Sequence, residues 1–372
     1  RISEEGEIAH GKYGSVFVAG VKEDLAVPKV QMRQSIQPIV GPPTRSRLST
    51  SLGQSEISRI EVNTDDFQVP LSRRSMSRRR PSMIISPGKT RHYEARLSID
   101  TKPEKVAVKT QSIRQPNEKD DTAYVECRIF KALSELMAKR YCNNYIFLYE
   151  WYKTYLDEVC RTQRMQQLSL VMEYAEQTLA DKIRLSSDPK HRIPMREFKE
   201  ILFQVMWALM VAQGELRFMH NDLHLKNIMI DRATKDHYYY NSADASSWKM
   251  SCVVVKLCDF GSSRIEKGEE TIGKNQELFD EMADRKHFME VLGTKYKFQE
   301  TNNIARDKTL LTDFKSKCKN TRNKNWSLPD LMNHPFFDEL RTPSGFTFSP
   351  HMSIYSYRFT HQSLESLLSQ VK

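Results

Sequence analysis

The octet HNDLHLKN at 220–227 sets Asp222 and Asn227 five positions apart in a short polar string. The apolar run NIMI begins at its last residue, and a wide apolar stretch ends shortly before it. A carboxylate and an amide so placed suit work on a bound substrate: one receives a proton, the other turns an oxygen toward a cation. Two further strings flank the octet in fixed order. VAVK at 106–109 lies upstream, and CDFG at 258–261 follows the apolar run VVVKLC downstream.

Moving the γ-phosphoryl group of ATP has four needs. The triphosphate must be held, its charge neutralised, the acceptor hydroxyl aligned and its proton received. IAHGKYGSV at 8–16 offers Gly11 and Gly14, where backbone amides approach phosphate with no Cβ in the way; Ala9 stands where a third glycine would complete the pattern. Lys109 ends a strand of small apolar residues, so its ammonium is expected to point inward. Glu126, on a helix facing back, is its expected partner, with Glu118 as runner-up. Asp222 is the candidate base, His224 a donor to the γ-phosphate, and Asn227 with Asp259 the magnesium ligands. His220 reads as a structural histidine holding the loop.

Outside these strings the chain sorts itself by periodicity. Residues 1–20 read as two strands around a turn, and strand character returns at 105–109. A helix is expected at about 121–139, with Ile129, Leu133, Leu136 and Met137 on one face and Glu126 beside that stripe. LSLVMEYA at 168–175 reads as a buried strand. A second helix is expected at about 195–213, with Pro194 at its start. The polar excursion 231–251 reads as an extended hairpin loop, and 262–372 as helical and irregular. Segment 21–103 is rich in Ser, Arg, Pro and Gln and weak in apolar periodicity, which reads as a disordered insertion.

The 372 residues carry a net charge of +10. Residues 20–104 alone hold 15 Lys and Arg against 9 Asp and Glu, so the basic excess is mostly local. At 39% hydrophobic and 28% charged the chain can build a sizeable core. Six cysteines without CxxC spacing argue against zinc and against a disulfide framework, which favours a reduced, intracellular and cytoplasmic setting. No apolar run is long enough for a membrane span, and no signal peptide is visible. The chain begins at Arg1 without Met, so residues are expected to precede it.

Together these residues resemble the eukaryotic-type protein kinase superfamily, over most of 1–20 and 104–340. The resemblance implies an α+β bilobal fold, with a small β-rich N-lobe, a mainly helical C-lobe and a long disordered insertion in the N-lobe. The N-lobe would be 1–20 and 104–175, the insertion 21–103, the C-lobe 176–345 and a C-terminal extension 346–372. ATP and Mg2+ would be the cofactors and protein substrates the partners. Ile8, Gly11, Gly14, Val16 and Ala107 would line the nucleotide, Met172 would guard the back of the adenine pocket, and Glu173 and Ala175 would offer backbone groups to adenine. Lys109 would pair with Glu126, and Asp222 would be the catalytic aspartate. Asp284 resembles the buried aspartate that braces the catalytic loop, and HPFF at 334–337 the usual C-lobe ending.

The chain also departs from that pattern. Asn221 stands where an arginine usually receives an activation-loop phosphate, which implies activity without phosphorylation at Ser262, Ser263 or Thr271. His224 replaces the usual lysine, as in haspin-like kinases and in aminoglycoside and choline kinases. No APE motif is present, and only 22 residues separate Gly261 from Asp284, a truncation similar to that of divergent kinases of large cytoplasmic DNA viruses. A Ser/Thr protein kinase is the leading expectation. A small-molecule kinase and an idle kinase-like scaffold, binding acidic partners or nucleic acid through the basic insertion, are the alternatives. SRRS and RRRPS at 72–82 set Ser75 and Ser82 beside arginines that would pair with phosphate. Mass spectrometry of the wild type and of Lys109→Met should find phosphate at these serines in the wild type alone; equal phosphate in both rejects self-modification.

Overall fold

The computed structural model describes residues 2–11, 14–21, 84–85, 105–114, 121–156, 165–233, 238–242, 246–273, 278–294, 296–319, 326–344, 346–347 and 352–357. The chain divides into two units, Arg1–Lys22 with Met83–Lys372, and Glu23–Ser82. All described residues belong to the first. The insertion read at 21–103 therefore lies outside the described residues, apart from Val21 and Ile84–Ile85.

The N-terminal part is one six-stranded antiparallel sheet. Its strands are β1 (Ile2–Gly11), β2 (Gly14–Val21), β3 (Ile84–Ile85), β4 (Lys105–Ser112), β5 (Leu148–Leu156) and β6 (Met165–Glu173), in the order β1-β2-β4-β6-β5-β3. The short β3 is an edge strand on β5, inside a segment whose sequence reads as disordered. Alternation along β4 explains the two faces of the sheet. Val106 and Val108 pack with Val171 on one side. Ala107, Lys109 and Gln111 point to the other, toward α1 (Thr122–Ala138). That helix starts where the Asp121 side chain accepts from the Ala123 amide at 2.9 Å. Its expected apolar stripe of Ile129, Leu133, Leu136 and Met137 is buried, and so is Glu126.

The C-terminal part is built on α3 (Met195–Leu216), which follows β7 (Gln177–Thr178) and α2 (Leu179–Leu185). Nearly every side chain of α3 is buried, as befits a helix wrapped on all sides. It runs three residues past its expected end and stops at Arg217, in the left-handed region with φ 44°. Beyond it come β8 (Ile228–Arg232), β9 (Tyr238–Ser242), β10 (Ser247–Met250), β11 (Val253–Leu257), β12 (Arg264–Lys267) and β13 (Glu270–Gly273). The helices α4 (Ala283–Leu292), α5 (Ile304–Lys319) and α6 (Leu328–Met332) follow, and the 3-10 turn Pro335–Leu340 buries Phe336 and Phe337 against α3 and α5.

The excursion 231–251, read from its polarity as an extended hairpin loop, is a hairpin of two paired strands with buried aromatic side chains. Its β9 and β10 pair with each other, and β14 (Ser353–Tyr357), which the sequence places in an irregular tail, lies parallel to β9. Tyr240 and Trp248 are fully buried, with ring centroids 5.1 Å from Trp207 and 5.0 Å from Phe203 of α3. The Tyr240 hydroxyl lies 2.9 Å from Asn143 Oδ1 and 3.1 Å from Asn144 Oδ1, in the connection after α1. This pins the hairpin to the joint between the two parts. Among the described residues no helix is long and apolar enough to cross a membrane, and the five described cysteines are free.

Tyr240→Phe should cost roughly 1–3 kcal/mol, because buried acceptors lose their donor. Tyr240→Ala should cost roughly 3–5 kcal/mol, because a cavity opens against α3. Urea unfolding of the two variants would measure both values.

Candidate active site

Lys109 sits at the centre of the site. Strand pairing sets it opposite Val16 of β2 and Leu170 of β6, with Ala107 opposite Met172 one step back on the same face. Val16, Ala107, Lys109 and Met172 therefore share one side of the sheet. Ile8 and Gly11 lie on β1, and Gly11 pairs with Gly14 where the hairpin closes above this row. Lys109 Nζ donates to Glu126 Oε1 at 2.8 Å and to Asp259 Oδ1 at 2.7 Å. Gln111 donates to the other oxygen of Glu126.

The electrostatics follow from this placement. Burial alone would push the Lys109 ammonium toward neutrality, but the Glu126 and Asp259 carboxylates outweigh it and hold the pKa above the ordinary lysine range. Burial would likewise raise Asp259, and Lys109 beside it brings the carboxyl below its usual value. Both groups are charged at neutral pH. Asp259 occupies the left-handed region with φ 61°, a strained backbone for a residue with a Cβ.

The loop 220–227 is held from behind. Asp284 Oδ2 accepts from the His220 amide at 2.6 Å and Oδ1 from the Asn221 amide at 2.9 Å. Those bonds fix Asn221, also at φ 61°. His220 is fully buried, and its Nε2 donates to the Cys258 carbonyl at 3.1 Å, as its structural reading requires. Phe260 is buried between Phe130 of α1, 4.7 Å away, and His220, 5.6 Å away. Asn227 donates from Nδ2 to the Asp222 carbonyl at 3.0 Å, and its own carbonyl accepts from the Cys258 amide at 3.0 Å. Asn227 is thereby set beside Asp259 with its amide nitrogen engaged and its side-chain oxygen left as the acceptor. The side chain of Asp222 is 43% exposed, and His224 Nε2 is 3.8 Å from its Oδ1.

Lys109, Glu126 and Asp259 thus meet directly, and Asp222, His224 and Asn227 lie on the loop bonded through Asn227 to Cys258, the residue between β11 and Asp259. Glu173 turns its carboxylate to Lys256 at 2.8 Å and to the Phe147 amide at 3.2 Å, while Ala175 is buried at the crossing between the two parts. Glu118 lies outside the described residues. Among the described residues no group of three or more His, Cys, Asp or Glu side chains is arranged to hold a metal. Asp259 and Asn227 are a sparse oxygen set, suited to a hard cation that takes its other ligands from phosphate and water.

A family model of the protein kinase domain matches residues 94–296, more than half of the chain. The chain belongs to the protein kinase family. Over 129 residues, 32% of the chain, it is 29% identical to a probable serine/threonine-protein kinase of Dictyostelium discoideum. The match spans only 10% of that relative's length. The match to the family model starts after the β1–β2 hairpin; pairing of β2 with β4 joins that hairpin to the kinase domain.

Sequence reasoning missed Gln111, although a period of two from Lys109 puts it on the same face. It named Ser263 only as a loop hydroxyl whose phosphorylation is not needed, and did not see that this buried hydroxyl donates to the His220 carbonyl at 3.1 Å. That bond gives Ser263 a structural duty, and no local pattern announces it.

The pKa of His220 is lowered by burial, against the pull of Asp284, the Cys258 carbonyl, Asp259 and Asp222. Below about pH 6.5 the unfolded chain protonates this histidine and the folded chain resists. Stability should therefore fall as pH drops from about 7 to 5, by up to one proton of slope from this residue. Urea unfolding of wild type and His220→Phe across that range checks the sign: the variant is less stable throughout and its pH slope is shallower.

Proposed function

We propose that this chain is an active Ser/Thr protein kinase that transfers the γ-phosphoryl group of ATP to protein hydroxyls. One observation carries the reading: Lys109 bonds Glu126 and Asp259 at once, so a strand, a helix and a loop that are distant in sequence converge on one ammonium. In a decayed scaffold there is no reason to keep a buried lysine between two carboxylates, since such a group is costly unless fully paired.

The roles follow from position. The glycine hairpin with Ile8, Gly11, Gly14 and Val16 covers the nucleotide, and Ala107 and Met172 form an apolar wall for adenine. Glu173 and Ala175 supply backbone groups at the crossing between N-lobe and C-lobe. Lys109 holds phosphate oxygens and is itself oriented by Glu126. Asp259 and Asn227 would hold Mg2+, which when bound neutralises phosphate charge. Asp222, the exposed carboxylate of the loop, aligns the acceptor hydroxyl and receives its proton. His224, whose Nε2 is 3.8 Å from Asp222 Oδ1, would help steady the transferring group. The bonds that Asp284 accepts from the His220 and Asn221 amides and that Lys109 donates to Asp259 would keep these side chains aimed before substrate arrives.

An assay with radiolabelled ATP tests this on wild type, Asp259→Asn and Asp222→Asn. The acceptors are a mixed basic protein and a panel of choline and aminoglycosides. Wild type should label serine and threonine of the protein, and Asp222→Asn should lose roughly 100-fold or more in rate. Labelling of the small alcohols alone would move the chain to the small-molecule kinases. Equal rates in wild type and Asp259→Asn would end the kinase reading.

A further inference from the structure

The chain leaving Asp259 does not run free. β12 and β13 form a hairpin whose Ile265 and Ile272 face each other across the strands and are both buried in the core. At its open end Gly273 has φ +139°, and a Cβ there would lie 2.6 Å from the Ser263 carbonyl, so no larger residue closes the hairpin this way. Two ion pairs tie it to α1: Arg128 with Glu270 at 2.7 Å and Lys267 with Glu135 at 3.4 Å. α1 carries Glu126.

The start of the hairpin is stitched to the chain that enters the catalytic loop. Met219 and Arg264 exchange two backbone hydrogen bonds, at 2.9 and 2.8 Å, and Asn221 Nδ2 donates to the Ser262 carbonyl at 3.1 Å. On the hairpin face opposite the isoleucines, Glu266 accepts from Arg264 Nη2 at 2.6 Å, and its other oxygen contacts Arg217 Nε. Arg217 is the left-handed residue that ends α3, and its guanidinium lies 4.6 Å from the centroid of Phe279. Arg264 is 5% exposed, and its Nε and Nη1 have no hydrogen-bond partner among the described residues. Two guanidinium groups, one of them buried and short of acceptors, thus converge on one carboxylate. Without that anion they repel each other where the catalytic loop and the post-Gly261 chain must stay in register.

We infer that Glu266 is a positioning residue, a carboxylate built into β12 that supplies the fixed negative charge joining the entry of the catalytic loop to the exit of the Asp259 loop. It does so without covalent modification. This rests on the kinase reading above and deepens it: Asn221 offers no cation to a loop phosphate, and Glu266 with Arg217 and Arg264 makes one unnecessary. Thr271 faces Glu266 across the hairpin and is exposed, and both arginines already meet Glu266, Arg264 through Nη2 and Arg217 through Nε.

The test uses the full chain after phosphatase treatment. Wild type should keep its rate of transfer, and Thr271→Ala should match it. Glu266→Gln should lose roughly 10- to 100-fold in kcat, the scale of a small misplacement of reacting groups, with KM for ATP changed by less than about twofold. Glu266→Asp should recover part of the loss. Glu266→Ala should gain activity on addition of acetate or inorganic phosphate, which a packing role alone would not allow. Arg217→Gln, at a partly exposed position, should show the same kcat defect without threatening the fold, and the double variant should be no worse than either single one. Loss of wild-type activity on phosphatase treatment, or full activity in Glu266→Gln, overturns the inference. Hydrogen exchange at the amides of Met219–Asn221 separates it from the kinase reading, because it needs no turnover. Faster exchange in Glu266→Gln supports the clamp even in a chain that transfers nothing, and unchanged exchange overturns it.

Discussion

The architecture depends on one ammonium group with almost no water around it. Lys109 is 8% exposed and meets two carboxylates within 2.8 Å. A lone charge in that place costs several kcal/mol, and even a paired one is weak evidence for stability. The arrangement is better understood as a constraint on position. Glu126 can reach Lys109 only if α1 is docked on the sheet, and Asp259 can reach it only if the chain after β11 turns back under the same face. Together the two carboxylates tie the sheet, α1 and the loop after β11 to one point.

A second layer of polar contacts keeps the reactive loops in shape. Asn221 and Asp259 both sit at φ 61°, a region that costs about 1–3 kcal/mol for residues of this kind. The surrounding bonds offset that cost: Asp284 takes two amides, His220 reaches the Cys258 carbonyl, and Ser263 reaches back to His220. Phe260, wedged between Phe130 and His220, carries this order from the C-terminal part to α1 without any charge. The result is a candidate site whose loops are held by the chain's own bonds, as electrostatic preorganisation demands.

Two stretches that depart from the usual pattern are tied into the fold by distant parts of the same molecule. The stretch between β8 and β11 grows into the hairpin β9–β10, which buries Tyr240 and Trp248 on α3 and recruits β14 from near the C-terminus. That sheet braces the connection after α1 through Asn143 and Asn144. The short segment after Gly261 becomes a hairpin salted to α1, with Glu266 between two arginines.

Local strings alone determined the kinase family and most of the candidate site. VAVK, HNDLHLKN and CDFG carry their chemistry in residue type and order, and a strand or helix period is enough to say which way Lys109 and Glu126 point. α1 and α3 were legible because apolar side chains recur at helical spacing. Tertiary structure alone decided the rest. β9 and β14 are five-residue strands more than a hundred positions apart, so neither has a sequence neighbour to reveal its partner. Glu266 looks like any surface glutamate until Arg217, from the end of a distant helix, is brought against it. Such contacts arise from long-range closure of the chain, and no window of sequence contains both sides of them.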